Sequence, residues 1–192
     1  MSTKADPNTI VLPLTRLSFS KIFKAEGFGG SEENKKFSCN FLLDKEKHAN
    51  VITKIEKRIA AMLKEEKVKV PSDKRCLKDG DDLDQDGYEG CMYISASNGK
   101  RPDTCKWDGG NVSVTEEDAE AEDILYSGCY VDGVIRLWVQ NNKWGKRVNA
   151  SLETVRHRKK GERFGGGRAS ADSVLDDVPM DEDEDDTDDM LG

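Results

Sequence analysis

Apolar and polar positions change period several times along the chain, and each change marks an element. Ile10 to Phe19 (IVLPLTRLSF) is an apolar, β-prone run. Pro13 interrupts it and predicts an edge position or a bulge, because proline donates nothing to a strand ladder. Residues 24–36 (KAEGFGGSEENKK) are Gly-rich and polar, and their length predicts an exposed loop rather than a tight hairpin. Phe37, Cys39, Phe41 and Leu43 then alternate with Ser38, Asn40 and Leu42, the period of a strand with one buried face. The spacing next becomes three and four. Ile52, Ile55, Ile59, Met62 and Leu63 line one side of a helix, with Lys and Glu opposite. Asp44 is placed to cap that helix by accepting from an unpaired backbone N–H, and the helix should end near Lys67. Its stripe reads as a core-packing face rather than a membrane face.

Residues 71–87 (PSDKRCLKDGDDLDQDG) read as a long polar loop. Tyr88 to Ser97 returns to strand character, with Met92, Ile94 and Ala96 on one face and Cys91, Tyr93, Ser95 and Ser97 on the other. Residues 98–100 (NGK) are a turn signal, and Pro102 to Trp107 reads as a short strand. Thr115 with Asp118 opens a short acidic helix, TEEDAEAED. Ile124 to Gln140 reads as one long bent strand or two shorter ones, with Gly128 and Gly133 as bulge or corner points. There Ile135, Leu137 and Val139 face one way, and Arg136, Trp138 and Gln140 the other. A turn at NNKWGKR leads to a last strand through Val148, Ala150 and Leu152 to about Val155. This pattern predicts a mainly β body, an OB-fold-like small barrel with one prominent amphipathic helix.

Charge divides the chain. Of 192 residues, 30 are Lys or Arg and 38 are Asp or Glu. Residues 169–192 hold 11 acidic residues and no basic one, so residues 1–168 are left with 30 basic against 27 acidic. The expected organisation is a nucleic-acid-binding domain at 1–160, a basic Gly-rich linker at 161–168 and a disordered acidic tail at 169–192. No apolar run approaches the length of a membrane span, and the start carries no clean secretory signal. The five cysteines (39, 76, 91, 105 and 129) are scattered without a C-x-x-C pair and read as reduced thiols. Asp82, Asp84, Asp86 and Gly87 imitate the start of a calcium loop, but its twelfth position is Tyr93 rather than a bidentate Glu. The only histidines, His48 and His157, lack ligand partners at useful spacing. No nucleophile elbow, P-loop or dinucleotide fingerprint is present, so neither catalytic residues nor a metal or cofactor is expected. A metal-dependent nuclease using the acidic loops is the enzymatic alternative.

What the chain does offer is cations interleaved with flat rings. Lys100 and Arg101 bracket Pro102 together with Lys106 and Trp107; Arg136 alternates with Trp138; Lys143, Lys146 and Arg147 surround Trp144. Tyr88 and Tyr93 precede the first cluster. Cations neutralise phosphates and aromatic rings stack on unpaired bases, which is what single-stranded nucleic acid requires. The acidic tail can compete with phosphates for the same cations, or dock basic partners through its carboxylates with Met190 and Leu191 as an apolar anchor.

Three blocks, DGYEGCMYISASNGKRP (86–102), YSGCYVDGVIRLW (126–138) and GERFGGG (161–167), resemble a family of bacteriophage single-stranded DNA-binding proteins. The opening LTRLSF and the Lys/Glu-rich helix follow the same order, and the likeness spans about residues 9–168. The resemblance implies an OB-fold protein that coats transient single strands in phage replication, recombination and repair in the cytoplasm of the infected host. It also implies that the tail recruits replication proteins such as polymerase or helicase and limits binding to duplex. The helix lies between the second and third strands, earlier than in many OB-folds. The rival reading is an adaptor or chaperone for basic proteins that acts through its acidic tail.

Overall fold

The computed structural model describes residues 5–164. The expected acidic tail, 169–192, lies outside the described residues, as does the end of the expected linker.

Eight strands form one sheet in the order β3-β4-β2-β1-β7-β8-β5-β6, and an added pairing of β4 with β8 closes it. The strands are β1 (Thr9–Glu26), β2 (Lys36–Asp44), β3 (Leu77–Asp79), β4 (Cys91–Asn98), β5 (Asp103–Trp107), β6 (Asn111–Ser113), β7 (Tyr130–Asn142) and β8 (Gly145–Lys159). β1, β2, β4, β7 and β8 make the closed barrel. Taken in chain order, the third of these (β4) pairs in parallel with the fifth (β8), the fifth pairs antiparallel with the fourth, and the fourth returns to the first. That circuit is the five-stranded Greek-key barrel of the OB-fold.

Alternation along the strands builds the core. Ile10, Leu12, Phe41, Leu43, Ile94, Leu137 and Leu152 are fully buried on the inner faces. α1 (Ala49–Glu65) turns Ile52, Ile55, Ile59, Met62 and Leu63 into the same cluster, the five positions its spacing marked. Each fully buried chain of this size contributes about 1.5–3 kcal/mol. Gly133 on β7 leaves room for the Phe41 ring: a Cβ there would stand 2.5 Å from it. The helix sits between the second and third barrel strands, as its place in the sequence required. α2 (Glu116–Glu122) opens with a reciprocal capping box, in which Thr115 and Asp118 each bond the other's backbone N–H.

Several boundaries differ from the sequence reading. Asp44 does not cap α1. Its Oδ1 accepts from Glu46 N and Lys47 N in the turn before the helix, and His48 occupies the cap position without a side-chain bond. β1 runs on to Glu26, so the exposed loop is shorter than 24–36. Pro13 sits at a bulge, where the β1–β7 register shifts between Leu12 and Thr15 and Asp132 Oδ1 accepts from Leu14 N. The polar stretch 71–87 contains β3, which bonds to β4. Residues 124–129 form a turn rather than strand, with Gly128 at φ 113°, and β7 begins at Tyr130. β8 continues past Val155 to Lys159, because its far half pairs with β5 as well as β7.

Candidate nucleic-acid interface

An open groove of about 530 Å³ crosses the outer face of β1, β2, β4 and the start of β8. Cross-strand register builds its floor: Ser38 of β2 stands opposite Ser97 of β4, and Asn40 opposite Ser95. These small polar side chains are the outward half of the alternation that buries Cys39, Phe41, Ile94 and Ala96. The 3-10 turn Ser72–Lys74 and the residues after it form one wall, where Arg75 bridges to Val148 of β8. Lys21, Lys74, Arg75, Lys78 and Arg147 line the groove, and among the described residues no carboxylate does. Arg75 is held in place by donating from Nε and Nη2 to Val70 O, at 3.0 and 2.8 Å. Lys21 also reaches Glu26 at 2.5 Å, on exposed surface where such pairs contribute little. Among the described residues Lys74, Lys78 and Arg147 have no ion-pair partner. Such a surface attracts a polyanion. The groove thiols add no charge: burial pushes Cys39 far up and Cys76 up to about 11.

Phe19 stands at the edge of this groove. The β1–β2 register shifts between Ser18 and Lys21, and within that bulge Phe19 takes φ 47°. A left-handed backbone at a non-glycine residue costs on the order of 1 kcal/mol and persists only where the surroundings impose it. Here Ser20 N donates to Ser127 Oγ and Ser20 Oγ donates to Leu125 O, fixing the bulge. The ring is thereby turned outward and is 52% exposed. Phe19 was read from the sequence as the end of an apolar strand. A lone Phe in such a run carries no mark of exposure, and neither did the lysines of 71–87.

The β7–β8 hairpin extends from the groove. Its turn residues are Lys143 and Trp144, between Asn142 and Gly145. Trp144 is 76% exposed, and Lys143 Nζ lies 4.9 Å from its ring. Lys146 and Arg147 follow on β8. Trp138, 43% exposed, stands opposite Asn149, and Gln140 opposite Arg147, so this outward stripe meets the groove along β8. Arg136 lies on the same outward stripe and reaches Glu153 at 3.5 Å.

The remaining predicted positions lie elsewhere. Lys100 and Arg101 occupy the β4–β5 turn, where Arg101 packs 5.4 Å from the Phe23 ring. Trp107 is 63% exposed in a separate cleft with Arg156, His157 and Arg158. Lys106 shares that cleft, but its Nζ donates to both oxygens of Glu122, at 2.5 and 2.6 Å. Tyr88 is 1% exposed and Tyr93 8% exposed, packed edge to face at 5.3 Å over Leu42. Neither ring has an open face for a base. The Tyr88 hydroxyl donates to Ser18 Oγ at 3.0 Å and accepts from Asn40 Nδ2 at 2.9 Å. Burial pushes the Tyr93 hydroxyl up. Among the described residues no cluster of His, Cys, Asp or Glu is arranged to hold a metal ion. All five cysteines are free thiols. No described helix is long and apolar enough to cross a membrane.

Comparison with known proteins bears on the family and the fold. The sequence profile described as Enterobacter phage Enc34, ssDNA-binding protein, matches residues 8–191. Protein p50 of Acyrthosiphon pisum secondary endosymbiont phage 1 is 32% identical over 186 residues, covering 91% of this chain and 96% of its own. The single-stranded DNA-binding protein of bacteriophage Enc34, solved in complex with ssDNA, superposes with a TM-score of 0.72 at 34% identity, over 82% of this chain and 90% of that one. A single-stranded DNA-binding protein of bacteriophage T7 shares the fold, with a TM-score of 0.53 at 15% identity over 84% and 95% of the two chains.

Proposed function

The chain belongs to the phage single-stranded DNA-binding protein family typified by that of Enterobacter phage Enc34, and from that premise we propose that it binds single-stranded DNA without sequence preference through the groove on β1, β2 and β4. One observation carries the reading: an outward Phe19 stands at the edge of a groove whose lining, among the described residues, has five cations and no carboxylate. The cations meet phosphates, and Phe19 stacks on a base. Trp144 and Trp138, with Lys143, Lys146 and Arg147, extend the track along the hairpin. Each stack contributes about 1–3 kcal/mol and tolerates any base. A small polar floor of Ser38, Asn40, Ser95 and Ser97 suits varied base edges better than a fixed code. Lys100, Arg101 and Arg136 lie at greater remove and serve as outer phosphate contacts.

The protein acts as a binder rather than an enzyme, coating transient single strands in the host cytoplasm during phage replication, recombination and repair. The acidic residues 169–192 act as an electrostatic gate and as the contact for replication proteins. The test is a salt-titrated binding assay on labelled oligo-dT and matched duplex, with the whole chain beside a chain ending at Arg168. Both forms should bind the single strand, more weakly as salt rises because counterions are released. Removing the tail should tighten binding and admit duplex. Absence of binding by either form at low salt overturns the reading and leaves the adaptor for basic proteins.

A further inference from the structure

The segment that the sequence presents as a basic linker is, as far as Phe164, fitted into the barrel. Phe164 N donates to Ser127 O at 3.1 Å, and Gly161 N donates to the Tyr126 hydroxyl, which returns a bond to Gly161 O at 2.8 Å. Arg16 donates from Nη2 to Glu162 O at 2.6 Å and from Nε to Gly128 O at 3.0 Å. Its guanidinium then lies 4.0 Å from the centre of the Phe164 ring. On its other side the ring packs on Leu42, Tyr88 and Tyr93. It closes on the backbone just before Tyr88: a Cβ at Gly87 would stand 2.1 Å from Phe164 Cε1. Gly87, with φ 81°, is therefore what lets the ring seat.

Tyr88 reaches from this seat to the groove. Its hydroxyl holds Ser18 and Asn40, and Asn40 is a groove residue while Ser18 adjoins Phe19. The Tyr88 and Phe19 ring centres are 6.4 Å apart. Asn40 Nδ2 spends one of its two N–H groups on Tyr88, which orients the amide and leaves Oδ1 and the second N–H to meet a ligand. We propose that Tyr88 and Phe164 are positioning residues for the nucleic-acid groove. Phe164 locks the turn that carries Tyr88, and Tyr88 sets the Asn40 amide and the Ser18–Phe19 bulge. The proposal rests on the groove being the single-strand site. It gives Tyr88 a part in binding that needs no contact with a base. It also makes Phe164, rather than the last residue of β8, the functional end of the body.

The experiment uses the full chain and labelled oligo-dT across a salt series, with thermal melts of each variant. Tyr88→Phe keeps the ring and removes only the hydroxyl. It should weaken binding about three- to tenfold at every salt concentration, with the dependence of log K on log salt unchanged because no cation is lost. Phe164→Ala should weaken binding in the same salt-independent manner, and Phe164→Leu should restore most of the affinity by refilling the seat. The double variant should be little worse than the weaker single one, as expected for two residues acting through one network. In an amide NMR spectrum the Asn40 side-chain resonances should move in both single variants. Parental affinity in Tyr88→Phe, with an unmoved Asn40 amide, overturns the proposal and leaves Tyr88 and Phe164 as packing alone. Failure of the parent chain itself to bind oligo-dT is a different result, and overturns the reading of the groove along with it.

Discussion

The groove over β1, β2 and β4 and the cleft between β5 and β8 contain the same residue types in a different electrical state. Each has an exposed aromatic, Phe19 in one and Trp107 in the other, and each is lined by several cations. In the cleft those cations are spent. Lys106 is held by Glu122, and Arg156 and Arg158 both close on Asp132 at 2.6 and 3.0 Å. In the groove, Lys74, Lys78 and Arg147 line one space with no carboxylate among the described residues that border it. A count of Lys, Arg and Trp along the chain weighs the two surfaces alike. Only the fold shows which charges remain to meet a phosphate.

The largest effect should come from Asp132, which separates structural arginines from binding ones. Asp132 is 4% exposed. Burial pushes its carboxyl up, but the Leu14 N–H and the guanidinium groups of Arg156 and Arg158 outweigh that and hold it below the usual carboxylate range. A carboxyl lowered in the fold adds stability that is present above its unfolded pKa, about 3.9, and is lost as pH falls through the folded value. Asp132→Ala should cost about 3 kcal/mol in urea unfolding at neutral pH. It should also flatten the acid limb of the stability curve, and binding per folded molecule should be no weaker, because neither arginine is lost. A variant that melts like its parent would show that Asp132 does not hold the two arginines in a structural role, and would erase the distinction.

Next in size is the exchange of the two aromatics. Phe19→Ala should lose about 1–3 kcal/mol of single-strand affinity; it keeps the Cβ and so leaves the backbone strain as it is, and the ring it removes is half exposed, so its melting temperature should hold. Trp107→Ala should bind oligo-dT as the parent does. Reversed losses would transfer the stacking role to the cleft.

The same two aromatics show what the sequence can carry. Periodicity located the buried face of α1 to the residue, though not its ends, and the faces of β4 and β7 and the start of α2, because each is a local pattern. The barrel was legible as a class, since short strands with bulge signals have few ways to close. Phe19 was not legible, because its exposure is created by a bulge that Ser127 and Leu125 impose from more than a hundred positions away. Tyr88 erred in the other direction as a stacking candidate: beside acidic loop residues it looks exposed, yet Leu42, Tyr93 and Phe164 enclose it. Lys74 and Lys78 sat in a stretch whose Asp residues dominated the local charge. Pairing is a long-range property, so the spent state of Lys106 and Arg156 left no trace in the order of residues.

A smaller effect tests charge alone in the groove. Arg147→Gln should reduce the slope of log K against log salt by about 0.7, the share of one phosphate contact on a single strand. Its counterpart in the cleft, Arg158→Gln, should leave that slope unaltered.

The smallest expected change runs in the opposite direction. Glu122→Gln removes the carboxylate that engages Lys106 at 2.5 Å, leaving only the weaker pull of Asp108 and Asp118 on that lysine. Glu122 is what raises the Lys106 ammonium above its ordinary value, so the variant frees a cation that stays charged at neutral pH. If pairing is what keeps the cleft from binding, the freed lysine beside Trp107 should steepen the salt slope by at most about 0.7. Trp107→Ala should then become measurable in the Glu122→Gln background while remaining silent in the parent. An unchanged slope would place the difference between the two surfaces in their lining instead: the groove offers a floor of Ser38, Asn40, Ser95 and Ser97 on paired strands, whereas the cleft offers no such small polar floor beside its ring.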